Sequence, residues 1–116
     1  MKQLATLLLL AFVAASSNLS GVWTGAFRGG DSDIPQLFTL KQQGKQITGT
    51  GGPDSTEQFP VQNGSVIGDV VKFEVNTGQR RFFYDLKATD KKLQGHLTIK
   101  SSNDTRNTTV SLELSH

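Results

Sequence analysis

From Asn18 onward, apolar and polar residues alternate in short runs separated by glycine, asparagine, aspartate, lysine and serine. In the run 70–76, for example, Val71, Phe73 and Val75 alternate with polar residues. A period of two residues, with one apolar and one polar face, is typical of antiparallel strands, and the 3.6-residue period of a helix does not occur in this part of the chain. The pattern therefore predicts an all-β domain.

The alternating runs predict about eight strands. Their predicted bounds are 21–28, 36–43, 46–51, 57–62, 65–67, 70–76, 80–88, 93–100 and 108–114. The count is nine if the short run 65–67 is separate and eight if it merges with a neighbour. Turns are predicted at 44–45, 68–69 and 90–92. The Asn63-Gly64 pair predicts a further hairpin turn, and residues 52–55 are predicted to break the chain. Because closure removes the two open edges of such a meander, we expect an up-and-down antiparallel β-barrel.

Residues 1–17 have the order of a secretory signal peptide. The positive start Met1-Lys2 is followed by an apolar run from Leu4 to Ala15 and then by small residues. The run is shorter than the about 20 apolar residues that span a bilayer, although an uncleaved membrane anchor is the alternative. We therefore expect residues 1–17 to be removed. The remaining domain, residues 18–116, is then secreted or periplasmic, with no stable membrane insertion.

Composition excludes several kinds of chemistry. The chain has no cysteine, which rules out disulfides, zinc-thiolate sites, iron–sulfur clusters and thiol nucleophiles. Its formal charge of +2 is near neutral, with both signs scattered along the sequence. Nucleic-acid binding calls for a basic stripe, and the Arg80-Arg81 pair is interpreted as solvated charge instead. We expect no nucleic-acid partner, no cofactor and a monomeric state.

The sequence predicts no catalytic or metal site. His96 lies on the outward face of a predicted strand, and His116 is the last residue. No serine occupies the strand-turn-helix elbow of a hydrolase. Asp31 and Asp33 could offer carboxylates to Ca²⁺, but the rest of a calcium loop is absent, so a loop at the barrel mouth is the preferred interpretation. We expect a protein that is not an enzyme.

Aromatic residues dominate the predicted inward face. Six of them are candidate ligand-binding residues: Trp23, Phe27, Phe38, Phe73, Phe82 and Tyr84. An eight-stranded barrel is just wide enough to be filled by side chains or to hold one small ligand. Four glycines share the inward parity, and they either allow sharp coiling of the strands or leave a cavity. These four are Gly25, Gly49, Gly51 and Gly95.

Two functions remain open at this point. The first is binding of a small apolar molecule inside the barrel. The alternative is a structural or protein-interaction module of the cell envelope. The outward-facing Phe83 would favour the alternative if it shared an apolar patch with Val22 or Leu37.

The first predicted strand is similar in sequence to the first strand of known β-barrel families. Its sequence Gly21-Val22-Trp23-Thr24-Gly25 is similar to the Gly-x-Trp start of lipocalin-like and avidin-like barrels. The motifs at 41–45, 47–50 and 63–69 extend the resemblance to small exported bacterial β-barrel proteins of uncharacterised function. The resemblance implies a calycin-like barrel and almost nothing about activity. In lipocalins an arginine near the last strand packs over this tryptophan, and Arg106 is the candidate here.

Trp23 itself is expected to lie buried at one end of the barrel and to close its floor. It is the sole tryptophan, it comes early in the first strand, and it shares inward parity with Gly25 and Phe27.

Overall fold

Eight antiparallel strands form a closed barrel in the computed structural model, which describes residues 18–115. The predicted signal peptide and His116 lie outside the described residues. The strands are β1 (Gly21–Gly29), β2 (Ser32–Gln43), β3 (Gln46–Asp54), β4 (Glu57–Ile67), β5 (Val70–Asn76), β6 (Arg81–Thr89), β7 (Lys92–Ser101) and β8 (Asp104–Leu114). Each strand pairs with the next, and β8 pairs with β1. The prediction of an all-β, up-and-down barrel is confirmed.

One predicted hairpin is wrong. Asn63-Gly64 does not turn the chain, because β4 runs through it and unites the predicted strands 57–62 and 65–67. The register of β4 shifts at this point against both β3 and β5, which makes the pair a β-bulge. Asn63 has a φ of 52°. Bulges and tight hairpins both use a left-handed residue, so the same dipeptide suits either structure.

The predicted chain break at 52–55 lies largely inside β3. The strand continues to Asp54, and its register against β4 shifts between Gly51 and Asp54. Pro53 lies in this irregular stretch, where a residue without a backbone donor is tolerated. The turn follows only at 55–56.

The inward glycines bring strands close together, and the space beside them is filled except for a cleft of about 40 Å³ next to Gly51. A Cβ at Gly25 would clash with the carbonyl oxygen of Ser111 on β8, and one at Gly51 would clash with the ring of Phe38. Gly49 and Gly95 are crowded by the backbone of a neighbouring strand in the same way. The glycines therefore allow sharp coiling, and the Phe38 ring fills the space over Gly51.

Trp23 closes one end of the barrel, as predicted. This closed end carries Asn18, Ser115 and the turns at 44–45, 68–69 and 90–91. The Trp23 side chain is 1% exposed, and its Nε1–H donates to the carbonyl oxygen of Leu19 at 2.9 Å. Leu19 is buried too, and its backbone N–H donates to Oε1 of Gln42 at 2.8 Å. The segment before β1 thus folds over the tryptophan as a plug.

We expect Trp23→Ala to lower the free energy of unfolding by about 3–5 kcal/mol, the usual loss for a large buried aromatic. Trp23→Phe, which keeps a ring but removes the donor to Leu19, should lower it less. Urea unfolding followed by circular dichroism measures both. A loss below about 1 kcal/mol for the alanine variant lies outside that usual range and would contradict the burial of Trp23. Wild-type tryptophan fluorescence red-shifted as in water would contradict it equally.

Candidate functional site

The six predicted binding residues lie in three places along the barrel axis. Phe38, Phe73 and Tyr84 form a cluster with ring centroids 4.8–5.3 Å apart. Phe27 and Phe82 meet edge to face at 6.3 Å, nearer the end opposite Trp23. The structure thus gathers five of the six into two neighbouring aromatic groups and leaves Trp23 in the plug.

The middle of the barrel is filled by side chains. Phe38 and Phe73 are 0% and 1% exposed. A cleft that reaches this cluster from the side of Phe59 and Phe82 has a volume of about 40 Å³. One water needs roughly 10–15 Å³ and usual ligand sites run from about 300 Å³, so the cleft admits a few waters and no ligand. The binding role of the six residues stays a prediction, and the interior alone offers no room for it.

A buried polar pair forms the floor of this cleft. The Tyr84 hydroxyl donates to Oε1 of Gln36 at 2.5 Å, and Nε2 of Gln36 donates to the carbonyl oxygen of Pro35 at 3.1 Å. Burial raises the pKa of the Tyr84 phenol above its ordinary value. The prediction from sequence missed Gln36, although its place two residues before Phe38 puts it on the inward register.

The end opposite Trp23 is more open. This open end carries the turns at 30–31, 55–56, 77–80 and 102–103. Inward side chains here stay partly exposed, among them Ile34, Phe59 and Phe82. The pairing of β1 with β8 runs from Trp23–Leu114 only as far as Phe27–Val110. The two strands are therefore unpaired with each other at this end.

A bowl of about 270 Å³ occupies the region beyond the end of that seam. Phe27, Ile34 and Ile99 line it with apolar surface, and Arg80 and Arg106 bring charge to it. Gly29, Ser101 and Asp104 complete the lining. The sequence alone favours solvated charge for Arg80 and does not predict the bowl. Inward and outward side chains alternate along each strand. Continuing this alternation beyond the last core residues would have indicated the bowl.

The outer face of β5, β6 and β7 holds a shallow groove of about 320 Å³ around Phe83. Arg81 and Lys100 place cationic groups 5.3 and 5.4 Å from the centre of this ring. Phe83 lies on β6, whereas Val22 and Leu37 lie on β1 and β2, so they share no patch.

The polar candidates from the sequence lie at the surface. His96 is exposed on β7 beside the outer groove. Asp33 pairs with Arg28 at 3.2 Å, and Asp31 is exposed in the turn before it. Within residues 18–115, no three histidine, aspartate or glutamate side chains converge on one point as metal ligands.

Tyr84 is the only tyrosine, so its titration can be followed by ultraviolet absorbance. We expect ionisation well above the ordinary pKa of about 10. Because the folded pKa is raised, the stabilisation is complete below about pH 10 and is lost as the pH rises through the folded value. Tyr84→Phe leaves Oε1 of Gln36 without its donor and should cost about 1–3 kcal/mol in urea unfolding. The ordinary pKa of a tyrosine is about 10. Ionisation of Tyr84 near this pH in the folded protein would contradict the prediction.

Comparison with known proteins finds no relative of this chain. No protein-family model, no curated protein and no solved structure matches the chain. The barrel agrees with the fold implied by the Gly-x-Trp resemblance, but Arg106 lies at the end opposite Trp23 and does not pack over it.

Proposed function

We propose that this protein is an exported, non-enzymatic binding module of the calycin-like type, whose small apolar ligand docks at the open end of the barrel. The observation that carries the proposal is the bowl, in which apolar surface of Phe27, Ile34 and Ile99 lies beside the charged side chains of Arg80, Asp104 and Arg106. Its 270 Å³ volume is close to the lower limit of about 300 Å³ for usual small-molecule sites.

The difference between the two ends supports this location. At the closed end, Leu19 and Trp23 are 3% and 1% exposed and seal the interior. Partly exposed apolar residues occur at both ends, with Val66, Ala88 and Leu114 around the plug and Ile34 and Phe82 at the open end, but at the open end they lie beyond the last pair of the β1–β8 seam. A ligand that covers this surface gains roughly 25 cal/mol for each Å² removed from water.

The adjoining cleft adds shape to the site. Phe27 lines the bowl, Phe82 lines the cleft, and their rings meet edge to face. Behind them the packed cluster of Phe38, Phe73 and Tyr84 supports the floor. Since these rings are already held in place, little conformational entropy is lost on binding.

The alternative, an interaction module of the cell envelope, has one observation in its favour. Ile67 and Val70 face each other across the β4–β5 hairpin at the closed end, and they are 67% and 40% exposed. Two side chains make a small patch, and Phe83 does not extend it. The open end therefore supports the better proposal.

Titration with a neutral apolar dye, N-phenyl-1-naphthylamine, tests the binding site. We expect fluorescence enhancement with the wild-type chain and a Kd about threefold higher for Ile34→Gln. Removing roughly 25 Å² of apolar contact at about 25 cal/mol per Å² amounts to about 0.6 kcal/mol, which is about threefold.

Ile67→Gln is the matched control, because the same substitution at the closed end removes exposed apolar surface far from the bowl. It should leave the dye affinity unchanged. Absence of dye binding, or an equal loss in the two variants, would reject the open end as the binding site.

A further inference from the structure

The bowl at the open end carries two arginines whose placement indicates what kind of ligand it takes. We infer, on the basis of the proposed function, that the ligand is an amphipathic anion. Its apolar body lies against Phe27, Ile34 and Ile99, and its carboxylate or phosphate head is held by Arg80 and Arg106.

Both arginines occupy positions that continue the inward register of their strands. Arg106 is four residues before Val110, which is buried on β8, and it is paired with Ile99 of β7. Arg80 directly precedes β6, two residues before Phe82. Side chains two or four residues apart on a strand share a face, so these guanidinium groups belong to the mouth of the barrel and not to its outer wall.

Neither guanidinium forms an ion pair with the residues that the structure describes. Within residues 18–115, Arg28 pairs with Asp33 at 3.2 Å and Arg81 with Glu74 at 3.5 Å, but Arg80 and Arg106 have no carboxylate within 4.0 Å. Asp104 is the one acidic residue of the bowl. The two arginines on the bowl thus differ from the two on the outer wall, each of which has its own carboxylate.

The chemistry of the bowl suits an anionic head on an apolar body. A guanidinium presents a planar fork of donors that matches a carboxylate or a phosphate. Apolar surface beside it strengthens the attraction, because the effective dielectric constant there is lower than in bulk water. The 270 Å³ volume lies just below the lower limit of about 300 Å³ for usual small-molecule sites, which suits a small ligand.

Binding of four eight-carbon probes tests the inference: octanoate, octyl phosphate, 1-octanol and octylamine. Calorimetry or amide shifts in NMR spectra of the folded chain give each Kd. We expect the two anions to bind at least about tenfold more tightly than octanol, in line with hydrogen bonds to charged groups. Octylamine should bind most weakly, and added salt should reduce the preference for anions.

Variants of the two arginines test whether these side chains cause the preference for anionic probes. Arg80→Gln and Arg106→Gln should each lower the affinity for the anions severalfold and leave that for octanol unchanged. Arg81→Gln is the matched control, because Arg81 is next in sequence but lies on the outer wall with Glu74. It should keep the wild-type preference. Circular dichroism confirms that all three variants fold.

The outcomes separate this inference from the proposed function. Equal binding of octanol and the anions, unaffected by Arg80→Gln and Arg106→Gln, would overturn the anionic head while leaving the apolar site in place. Inorganic phosphate that binds as tightly as octyl phosphate would overturn the amphipathic part. No binding of any octyl probe would overturn the proposed function itself.

Discussion

The whole fold depends on the pairing of its first strand with its last. A meander of eight strands that stayed open would present two edges of unpaired N–H and C=O groups and would leave its apolar face uncovered. The β1–β8 seam from Trp23–Leu114 to Phe27–Val110 prevents both. Gly25 makes this seam possible, because any larger residue would clash with the backbone of Ser111. The remaining inward side chains are buried only because this contact closes the sheet around them.

The limits of the same seam distinguish the two ends of the barrel. At the closed end it is extended by a bond from the backbone N–H of Ser115 to the carbonyl oxygen of Val22 at 2.7 Å, and the Leu19–Trp23 plug lies beside it. Toward the open end, the Thr108 hydroxyl bridges the strands by donating to the carbonyl oxygen of Arg28 at 2.9 Å. The bowl opens there. The register of the β1–β8 pairing therefore places the tightest packing and the proposed binding surface at opposite ends of the barrel.

The strands and their faces could be predicted from sequence because a period of two residues fixes which side chains are buried, whichever strand is the neighbour. The features that were missed depend on partners that are distant in sequence. Asn63-Gly64 supplies a left-handed backbone, and only the pairing with β3 and β5 decides between a bulge and a turn. The space at Gly51 depends on the rotamer of Phe38. The inward parity of Arg80 with Phe82 could be read from the sequence, but only the end of the β1–β8 seam shows that this position lies at an open mouth.

The filled interior changes how the predicted aromatic residues would contribute to the proposed binding. Phe38, Phe73 and Tyr84 contact one another, and Gln36 satisfies the one hydroxyl among them, so this group acts as a rigid core. Phe27 borders the bowl and Phe82 the cleft beside it. A binding surface that rests on such a core keeps its shape when it is empty, which favours small ligands that fit it without rearrangement. A full barrel therefore suits the proposed site on its rim, whereas a hollow barrel would take a ligand inside.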